Sequence, residues 1–311
     1  MHRRYIIIGD VHGCRTELRE LLAACHVTKD DCVVYVGDLL DKGPDGPGVV
    51  ADVREADENG QPTIVVMGNH EETNLRFFES QDRVEDPDDK NMKNRVKDPT
   101  GDYLRNYQGL SAEDRLYLET KPVLTFEVPG TKFRVVHAGL TSTYEFPEGD
   151  LRWSKLSRPD QGRAVIPLRV RFVREQEEVV VKTTTTTILR GGKVEVMGEP
   201  QVQKTVLKAG KMITLGKEHE SHPYWAHIYD GRLGHIFFGH NAWKDDPSPR
   251  EFSHATGLDL GCVFGGRLAA AVVTPDSKGG SVEYKTVESK AVYCARYKPT
   301  KLENGYYRPV A

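Results

Sequence analysis

The stretch Tyr5-Ile6-Ile7-Ile8-Gly9-Asp10-Val11-His12-Gly13 lies near the start of a chain of 311 residues. Its four large apolar residues, three of them β-branched, predict a short buried strand, and the Gly-Asp pair after them predicts a turn. The strand therefore ends where an aspartate and a histidine stand two residues apart. Positions of this kind, where a buried strand stops and a loop begins, are where α/β proteins build sites.

Four further segments repeat this pattern of an apolar run followed by polar residues. They are Gly37-Asp38-Leu39-Leu40-Asp41-Lys42-Gly43, Gly68-Asn69-His70-Glu71, Val136-His137-Ala138-Gly139 and Gly239-His240-Asn241. The runs before them, at 32–36, 63–67, 133–136 and 236–238, each predict a strand. Any one segment is ordinary turn chemistry, and a single histidine is more often structural. All five together indicate one polar site assembled from five strand ends.

The residue types in these segments are those of a site for divalent metals. Carboxylate, imidazole and amide ligands that converge on two neighbouring cations hold them while one position stays open. Such a pair clamps a phosphoryl group and turns a bound water into hydroxide at neutral pH. Nitrogen and oxygen ligands with no nearby thiolate favour manganese, iron, zinc or nickel and argue against an all-oxygen calcium site. We expect two divalent metal ions, with manganese first.

At these residues the chain resembles the calcineurin-like metallophosphoesterases, and within them the phosphoprotein phosphatase superfamily. That superfamily contains the Ser/Thr protein phosphatases and the symmetrical dinucleoside-tetraphosphate hydrolases. The resemblance covers about residues 4–153 and 224–275, and it includes Gly257-Leu258-Asp259-Leu260-Gly261-Cys262, which looks like a segment of the dinucleotide hydrolases. It implies an α/β fold, namely an αββα sandwich of two mixed sheets flanked by helices.

The resemblance implies a metal-binding role for six of the side chains. The first metal would be bound by Asp10 and His12, Asp38 would bridge the two metals, and the second would be bound by Asn69, His137 and His240.

The resemblance also implies catalytic and phosphate-binding roles. His70 would be the general acid that protonates the leaving oxygen, and Asp41 would orient its imidazole. The phosphate would be held by Lys42, by Asn69 and by an arginine near the middle of the chain, for which Arg152 is the candidate. An ordinary surface charge is the other interpretation of Arg152.

The chain combines features of two branches, so its substrate class is open. The protein phosphatases have Arg at the position of Lys42, which is a point charge without the planar fork, and Lys here resembles relatives of the dinucleotide hydrolases. Asp41 and Glu71 instead match the protein phosphatases. We predict a phosphatase acting on phosphomonoesters, including phosphoserine and phosphothreonine in proteins. The alternative substrate is a dinucleoside polyphosphate, polyphosphate or another nucleotide anhydride.

A non-catalytic module that binds phosphate or nucleic acid is the alternative from another class. The complete set of predicted ligands and the intact His70 argue against it, because loss of chemistry usually begins with broken ligands or a missing acid.

Composition sets limits on location and partners. A hydrophobic fraction of 38% and a charged fraction of 29% are ordinary for globular proteins, and the formal charge of −3 by itself suggests no nucleic-acid or membrane partner. No apolar run is long enough for a signal sequence or a membrane span, so we expect a cytoplasmic protein. Five cysteines, odd in number and without a Cys-x-x-Cys pattern, suggest neither a disulfide framework nor a structural zinc site, and Cys14 and Cys262, which lie near the proposed site loops, are expected to be buried free thiols. The oligomeric state stays open.

The order of predicted elements suggests a core with an insertion. Helical spacing of apolar residues after the first two segments predicts strand, helix, strand, helix, strand. We divide the chain into a metallophosphoesterase core, residues 1–156 and 223–311, and an inserted β-rich subdomain, residues 157–222. Strands are predicted in the insertion at 165–173, 178–189, 193–197, 201–207 and 212–215, with a hairpin turn at 189–193. Residues 82–100 are predicted to be a polar loop.

The predicted insertion is basic. Residues 152–217 contain 14 Lys and Arg against 6 Asp and Glu, a formal +8 in a chain of −3. Near the site, such a surface would steer an anionic substrate such as a nucleotide, polyphosphate or nucleic-acid end. A solvated face whose lysines cover a sheet edge is the other interpretation.

Overall fold

The computed structural model describes residues 3–82, 97–173 and 223–295, together with short strands elsewhere at 179–182, 187–188, 194–195, 202–205, 212–213, 300–303 and 306–309. Most of the predicted loop at 82–100, the whole hairpin turn at 189–193 and much of the basic segment lie outside the described residues. No helix in the described part is long and apolar enough to cross a membrane.

The strands of the described residues are, in chain order, β1 (Tyr5–Ile8), β2 (Cys32–Tyr35), β3 (Thr63–Val65), β4 (Phe126–Glu127), β5 (Phe133–Val135), β6 (Phe172–Val173), β7 (Val179–Lys182), β8 (Thr187–Ile188), β9 (Val194–Glu195), β10 (Val202–Thr205), β11 (Met212–Ile213), β12 (His235–Phe238), β13 (Arg250–Phe252), β14 (Ala255–Gly257), β15 (Arg267–Thr274), β16 (Ser281–Glu288), β17 (Thr300–Glu303) and β18 (Tyr306–Pro309).

The α-helices of the described residues are α1 (Arg15–Ala24), α2 (Gly46–Glu58), α3 (Asn69–Asp82), α4 (Asp102–Gly109), α5 (Ala112–Thr120), α6 (Arg158–Arg163), α7 (Val165–Arg169) and α8 (Trp225–Ile228). Two short 3-10 helices cover Trp153–Lys155 and Cys262–Phe264.

Two mixed five-stranded sheets form the body of the protein. The first has the order β16-β15-β1-β2-β3, in which β1, β2 and β3 are parallel and the other two strands are antiparallel. The second has the order β13-β14-β12-β5-β4, in which β5, β12 and β14 are parallel. All five predicted motif strands are present as β1, β2, β3, β5 and β12.

The alternating side chains of β1 explain how the layers pack. Tyr5 and Ile7 face the second sheet and join a core cluster with Phe133, Val135 and Phe237, whereas Ile6 and Ile8 face the helices α1 and α2. Both faces of β1 are therefore buried, as its uninterrupted apolar sequence requires. The outer face of the second sheet is covered by α8 and the segment that leads to β6. The predicted αββα order of layers, two mixed sheets flanked by helices, is confirmed.

Two predictions of secondary structure were wrong or incomplete. The strand predicted at 165–173 is a helix, α7, over Val165–Arg169, and only Phe172–Val173 is extended. Ala164 and Leu168 stand four residues apart and are buried against Met67, Leu124 and Leu156, which is a helical spacing. Helix α3, which begins at the third motif itself, was not predicted.

The predicted insertion is only partly described. Antiparallel pairs join β7 to β10, β8 to β9 and β6 to β11, and the pairing of β8 with β9 brackets the predicted hairpin turn. Residues 158–173 differ from these pairs, because Ala164, Leu168, Val170 and Phe172 are buried in the core of the protein. The boundary at residue 157 stays a prediction, and this packing favours an insertion that begins after residue 173.

Candidate metal centre

The polar segments meet at one edge of the sandwich. The strands β1, β2 and β3 are parallel, as are β5, β12 and β14, so the loops after them open on the carboxyl edges of the two sheets. Backbone hydrogen bonds tie these loops together: the N–H of His12 donates to the carbonyl of Asp38 at 2.8 Å, and that of Gly239 donates to the carbonyl of His137 at 2.7 Å.

Asp38 lies at the centre of the polar residues and belongs to two groups of ligand atoms. The first group contains His12, Asp38 and His70, and the second contains Asp38, His137 and His240; within each group the ligand atoms lie within 4.8 Å of one another. The carboxylate is 3.5 Å from Nε2 of His12 and 3.3 Å from Nε2 of His137. One carboxylate between two sets of imidazoles is the arrangement that a bridged pair of metals requires.

The second group fits a cation for a specific reason. Nδ1 of His137 lies 2.9 Å from the carbonyl oxygen of Val36, which accounts for the proton of a neutral imidazole. Its Nε2 then turns a lone pair towards Oδ1 of Asn69, 3.0 Å away, and Nδ1 of His240 lies 2.6 Å from the same oxygen. Two lone pairs that face each other at this distance repel unless a cation lies between them.

Asp10, beside the first group, and His12, within it, also leave polar atoms that a cation would satisfy. Oδ2 of Asp10 accepts the backbone N–H of His240 at 2.8 Å, while Oδ1 is buried and has no hydrogen-bond partner among the described residues. Nδ1 of His12 lies 2.8 Å from the carbonyl oxygen of Leu40, so its Nε2 carries the lone pair. The ammonium of Lys42 lies 2.7 Å from that Nε2. A positive group thus already takes the lone pair that a metal would take.

His70 is held by a chain of side chains. Its Nδ1 is hydrogen-bonded to Oδ2 of Asp41, and the other oxygen of Asp41 accepts from Asn74 at 3.0 Å and from Asn106 at 2.6 Å. Asn106 also donates to Oδ1 of Asn74 at 3.0 Å. With Nδ1 committed to Asp41, Nε2 of His70 is left on the side of Asp38, 3.8 Å from its carboxylate. Asn74 and Asn106 were not predicted, because neither stands in a motif.

Backbone strain is concentrated in this cluster. Among the described residues, six that are not glycine have a positive φ, and five of them are His12, Asp38, Asp41, Lys42 and His240, at +46°, +53°, +70°, +64° and +67°. Such a conformation costs of the order of 1 kcal/mol for each residue. Its recurrence at one edge of the sheets indicates that the loops are shaped for placing these side chains and not for stability.

Glu71 and Gly68 fix the loop that carries Asp38. Glu71 is fully buried and accepts backbone N–H groups from Asp38 at 2.7 Å, Leu39 at 2.8 Å and Leu40 at 3.2 Å. A Cβ atom on Gly68 would lie 2.4 Å from both the Asp38 nitrogen and the Glu71 carboxylate. Glycine is therefore required there because the second and third motifs approach each other closely.

Burial sets the protonation of the predicted ligands. It lowers the pKa of His12, His137 and His240 below the usual imidazole range, with Lys42 adding to the effect on His12 and Arg171 on His240. These imidazoles are neutral and have a lone pair to give. Burial alone would raise the pKa of Asp38, and only positive charge on its neighbours, from Lys42 and from any protonated imidazole of His137, His70 or His12, holds it well below the usual range.

Asp259 is a further buried carboxylate at the site, and no role was predicted for it from the sequence. It follows β14, Oδ1 accepts the N–H of Gly261 at 2.9 Å, and burial raises its pKa to about 6. Burial, followed by Asp259 and Asp38, raises the pKa of Asp10 well above the usual range. The sequence signal is weak, because Asp259 stands two residues after β14 and Ala255-Thr256-Gly257 is not an apolar run of the kind that precedes the five motifs.

Two arginines reach the site from the segment that links α7 to β6. Nη2 of Arg171 lies 3.4 Å from the carbonyl oxygen of His240, and its buried Nε has no hydrogen-bond partner among the described residues. Arg169 donates to Glu72 at 2.6 Å, to Thr73 at 3.1 Å and to the carbonyl of Asn69 at 3.3 Å. Both lie inside the predicted insertion, and for that reason the sequence analysis did not connect them with the motifs.

Arg152, the predicted phosphate-binding arginine, is not brought to these residues. Its guanidinium pairs with Asp150 two positions away, and its side chain is 49% exposed. Among the described residues its side chain has no hydrogen bond or ion pair with any of the five motifs. A short-range pair on the surface explains this position, so we transfer the phosphate-binding proposal to Arg171.

Comparisons with known proteins agree with this geometry. A model of the calcineurin-like phosphoesterase family matches residues 3–266. The symmetrical bis(5'-nucleosyl)-tetraphosphatase of Pectobacterium carotovorum is 30% identical over 150 residues, 47% of this chain and 46% of that protein. Serine/threonine-protein phosphatase 1 of Salmonella typhimurium is 39% identical over 74 residues, 24% of this chain and 32% of that protein.

The likeness to solved structures concerns the fold. A crystal structure provisionally assigned as a diadenosine tetraphosphatase has a TM-score of 0.57 and 23% identity, with coverage of 93% of this chain and 95% of that one. The chain spans about half the length of the tetraphosphatases that it matches, so their activity is not transferred with the similarity. The family match covers most of the chain and contains all five motifs, and the chain belongs to the calcineurin-like phosphoesterase family.

Proposed function

We propose that this protein is a hydrolase of phosphoric esters or anhydrides that uses two divalent metal ions. The observation that carries the proposal is the position of Asp38 between two groups of ligand atoms. The facing lone pairs of His137 and Asn69 and the unpartnered oxygen of Asp10 support it, since each leaves a place that a cation would satisfy. In the proposal Asp10 and His12 hold one metal, Asp38 bridges, and Asn69, His137 and His240 hold the other.

When bound, the two metals supply Lewis acidity, which polarises the phosphoryl group and activates a water. The remaining steps belong to the side chains. Asp41 accepts the Nδ1–H of His70, and Asn74 and Asn106 fix the orientation of Asp41. His70 can therefore deliver a proton from Nε2 to the leaving oxygen. This role needs no covalent intermediate between enzyme and substrate.

Lys42 and Arg171 are the proposed phosphate-binding cations, with Asn69 beside them. The ammonium of Lys42 lies at the lone pair of His12 that a metal would use, so with metal bound Lys42 would turn from His12 and could bind phosphate oxygens. Arg171 is partly buried beside His240, and its Nε–H has no hydrogen-bond partner among the described residues. A planar guanidinium with free donors is well suited to two oxygens of one phosphate.

For the substrate class we place dinucleoside polyphosphates first. The sequence alone favours phosphomonoesters slightly, through Asp41 and Glu71, but tetraphosphatases match about half of this chain while the protein phosphatase matches a quarter. Lys42 and the segment Gly257–Cys262 support the same order. Phosphomonoesters, including phosphoserine and phosphothreonine in proteins, are the second candidate. Manganese as the native metal, a cytoplasmic location and steering by the basic segment remain parts of the proposal.

One activity panel tests both the metal-dependent hydrolysis and the proposed substrate class. The full chain is stripped with a chelator, reloaded with manganese and assayed on diadenosine tetraphosphate, a phosphothreonine peptide and an aryl phosphate, with Asp38→Asn as the metal-site control. We expect activity that returns with manganese and the highest kcat/KM on diadenosine tetraphosphate. A higher kcat/KM on the peptide would make the protein a phosphatase of the second class. Bound metals without turnover of any substrate would leave only the binding module.

A further inference from the structure

A second buried cluster lies beside the proposed metal centre and has no part in the proposed function. It consists of Cys14, Glu17 and Cys262, whose ligand atoms lie within 4.8 Å of one another. The three residues are 0%, 0% and 2% exposed. Cys14 precedes α1, Glu17 is in its first turn, and Cys262 begins the 3-10 helix that follows β14. The cluster thus brings the start of α1 next to the loop that follows β14.

Glu17 is the member of the cluster that a purely structural role does not explain. Its Oε1 accepts the backbone N–H of Lys290 and the hydroxyl of Tyr293, both at 2.8 Å. Its Oε2 is buried and has no hydrogen-bond partner among the described residues, and no ion pair to Glu17 occurs among them. A buried carboxylate left half satisfied is costly unless a cation compensates it.

We propose that Cys14, Glu17 and Cys262 bind a zinc ion, separate from the two metals of the catalytic centre. Thiolate sulfur and carboxylate oxygen are both zinc ligands, three protein ligands with a water in the fourth position form an open zinc site, and soft sulfur disfavours magnesium, calcium and manganese. A tetrahedral zinc with bonds of about 2.3 Å to sulfur places the two sulfurs roughly 3.8 Å apart, which the spacing of this cluster allows. Binding releases the two thiol protons to solvent.

At this position a bound ion would link two loops of the protein. Cys14 stands two residues after His12, and Cys262 stands three residues after Asp259. The ion would therefore connect the loop of the first motif with the loop after β14, at the edge where the proposed metal ligands converge. The net negative charge that its ligands leave falls at the N-terminus of α1, where the helix dipole favours it.

A disulfide between Cys14 and Cys262 is the competing product of the same pair of thiols. It would need an oxidant that reaches two sulfurs with almost no exposed surface, and it would leave the buried Glu17 carboxylate without a cation. The zinc ion satisfies the carboxylate and the thiols together. The two alternatives are separated by measuring metal and disulfide in the same preparation.

Cobalt substitution in the full chain tests the proposal without relying on activity. Thiolate ligands give bound cobalt an intense near-ultraviolet charge-transfer band, which the nitrogen and oxygen ligands of the catalytic centre cannot give. We expect one equivalent of cobalt with this band in the wild type. In Cys14→Ser/Cys262→Ser the band and one metal equivalent should be lost while the other metals are kept. Cys25→Ser, a buried thiol at the other end of α1, is the matched control and should keep the band.

Glu17→Gln gives a second test in a protein that is more certain to fold. The amide oxygen can still accept from Lys290 and Tyr293, but it is a poorer zinc ligand, so zinc affinity measured against a chromophoric chelator should fall at least ~10-fold. Unchanged affinity in Glu17→Gln would overturn the proposal. So would a wild-type protein without the thiolate band, a band that persists in the double cysteine variant, or a Cys14–Cys262 disulfide found by mass spectrometry in the protein as isolated.

Discussion

The two sheets contribute different chemistry to the candidate site. The first sheet, within residues 10–71, provides Asp38, the proposed bridging carboxylate, together with the His70–Asp41 pair and Lys42. The second sheet, with the segment packed on its outer face, provides His137, His240 and Arg171. The first half holds the groups proposed to carry out proton transfer and metal bridging. The second half holds neutral imidazoles and positive charge.

Although their chemistry differs, the two halves of the site are in direct contact at a few atoms. Asp38 of the first sheet lies 3.3 Å from His137 of the second, and Asn69 meets both His137 and His240. The N–H of His240 in turn donates to Asp10 at 2.8 Å. Variants at the shared atoms should therefore disable the whole site, whereas variants confined to one half should remove one property.

The largest effect is expected for Asp38→Asn, because its carboxylate serves both groups of ligands. A neutral amide bridges two dications poorly, so both metals should be lost and kcat/KM should fall by ~10³-fold or more. Metal analysis of the purified variant checks this, with the exposed carboxylate variant Asp150→Asn as the control. Retention of both metals at wild-type occupancy would contradict the bridging role.

The next largest loss of activity is expected for His70→Asn, a variant that distinguishes proton transfer from metal binding in the first half of the site. His70→Asn should keep both metals yet lower kcat by ~10²- to 10⁴-fold on a phosphothreonine peptide, and less on an activated aryl phosphate whose leaving group needs no proton. Asn106→Ala, which removes the donor to Asp41 and to Asn74, should cost ~10-fold with the same dependence on the leaving group. An equal loss on both substrates would exclude His70 as the general acid.

The motif residues of both halves were predictable from sequence, but the side chains that act on them from outside the motifs were not, for a physical reason. The groups of the first half follow three consecutive parallel strands, so strand-then-polar spacing was enough to find Asp10, Asp38 and Asn69 and to expect them at one edge. Arg171 stands outside any motif and reaches His240 only through tertiary packing of a helix that was predicted as a strand. Asn106 likewise acts from α4, far from the motifs in sequence.

A smaller loss of kcat/KM, confined to substrate binding, is expected for a variant in the second half of the site. Arg171→Ala should raise KM for diadenosine tetraphosphate and lower kcat/KM by ~10- to 100-fold, as loss of a charge-assisted contact to phosphate does, and should leave metal content unchanged. Arg152→Ala, which removes an exposed guanidinium paired with Asp150, should change kcat/KM less than ~2-fold. If the two variants exchanged these effects, the original assignment to Arg152 would be right and the transfer to Arg171 wrong.

The smallest effect concerns stability and one strand of the second sheet. Strand β12 begins at His235 and leads to His240, and burial lowers the pKa of both imidazoles, to about 4 for His235. Nε2 of His235 lies 2.9 Å from the hydroxyl of Thr256, away from the proposed metal ligands. Burial thus has the same effect on His235 as on His240. At pH values between about 4 and 6.5, His235 is neutral in the folded protein and protonated in the unfolded chain.

The sign of its effect on stability follows from this difference. The unfolded imidazole gains its proton near pH 6.5 and the folded one only near pH 4, so stability is full above pH 6.5 and is lost as the pH falls between these values. From pH 7.5 to pH 5, the wild type should lose about 1–2 kcal/mol more unfolding free energy than His235→Gln, since the ring is partly exposed. Urea unfolding with excess chelator measures this without a contribution from metal release, and the exposed His26→Gln is the control. A His235→Gln protein with the same pH dependence as the wild type would show that burial of His235 is not what couples the second sheet to pH.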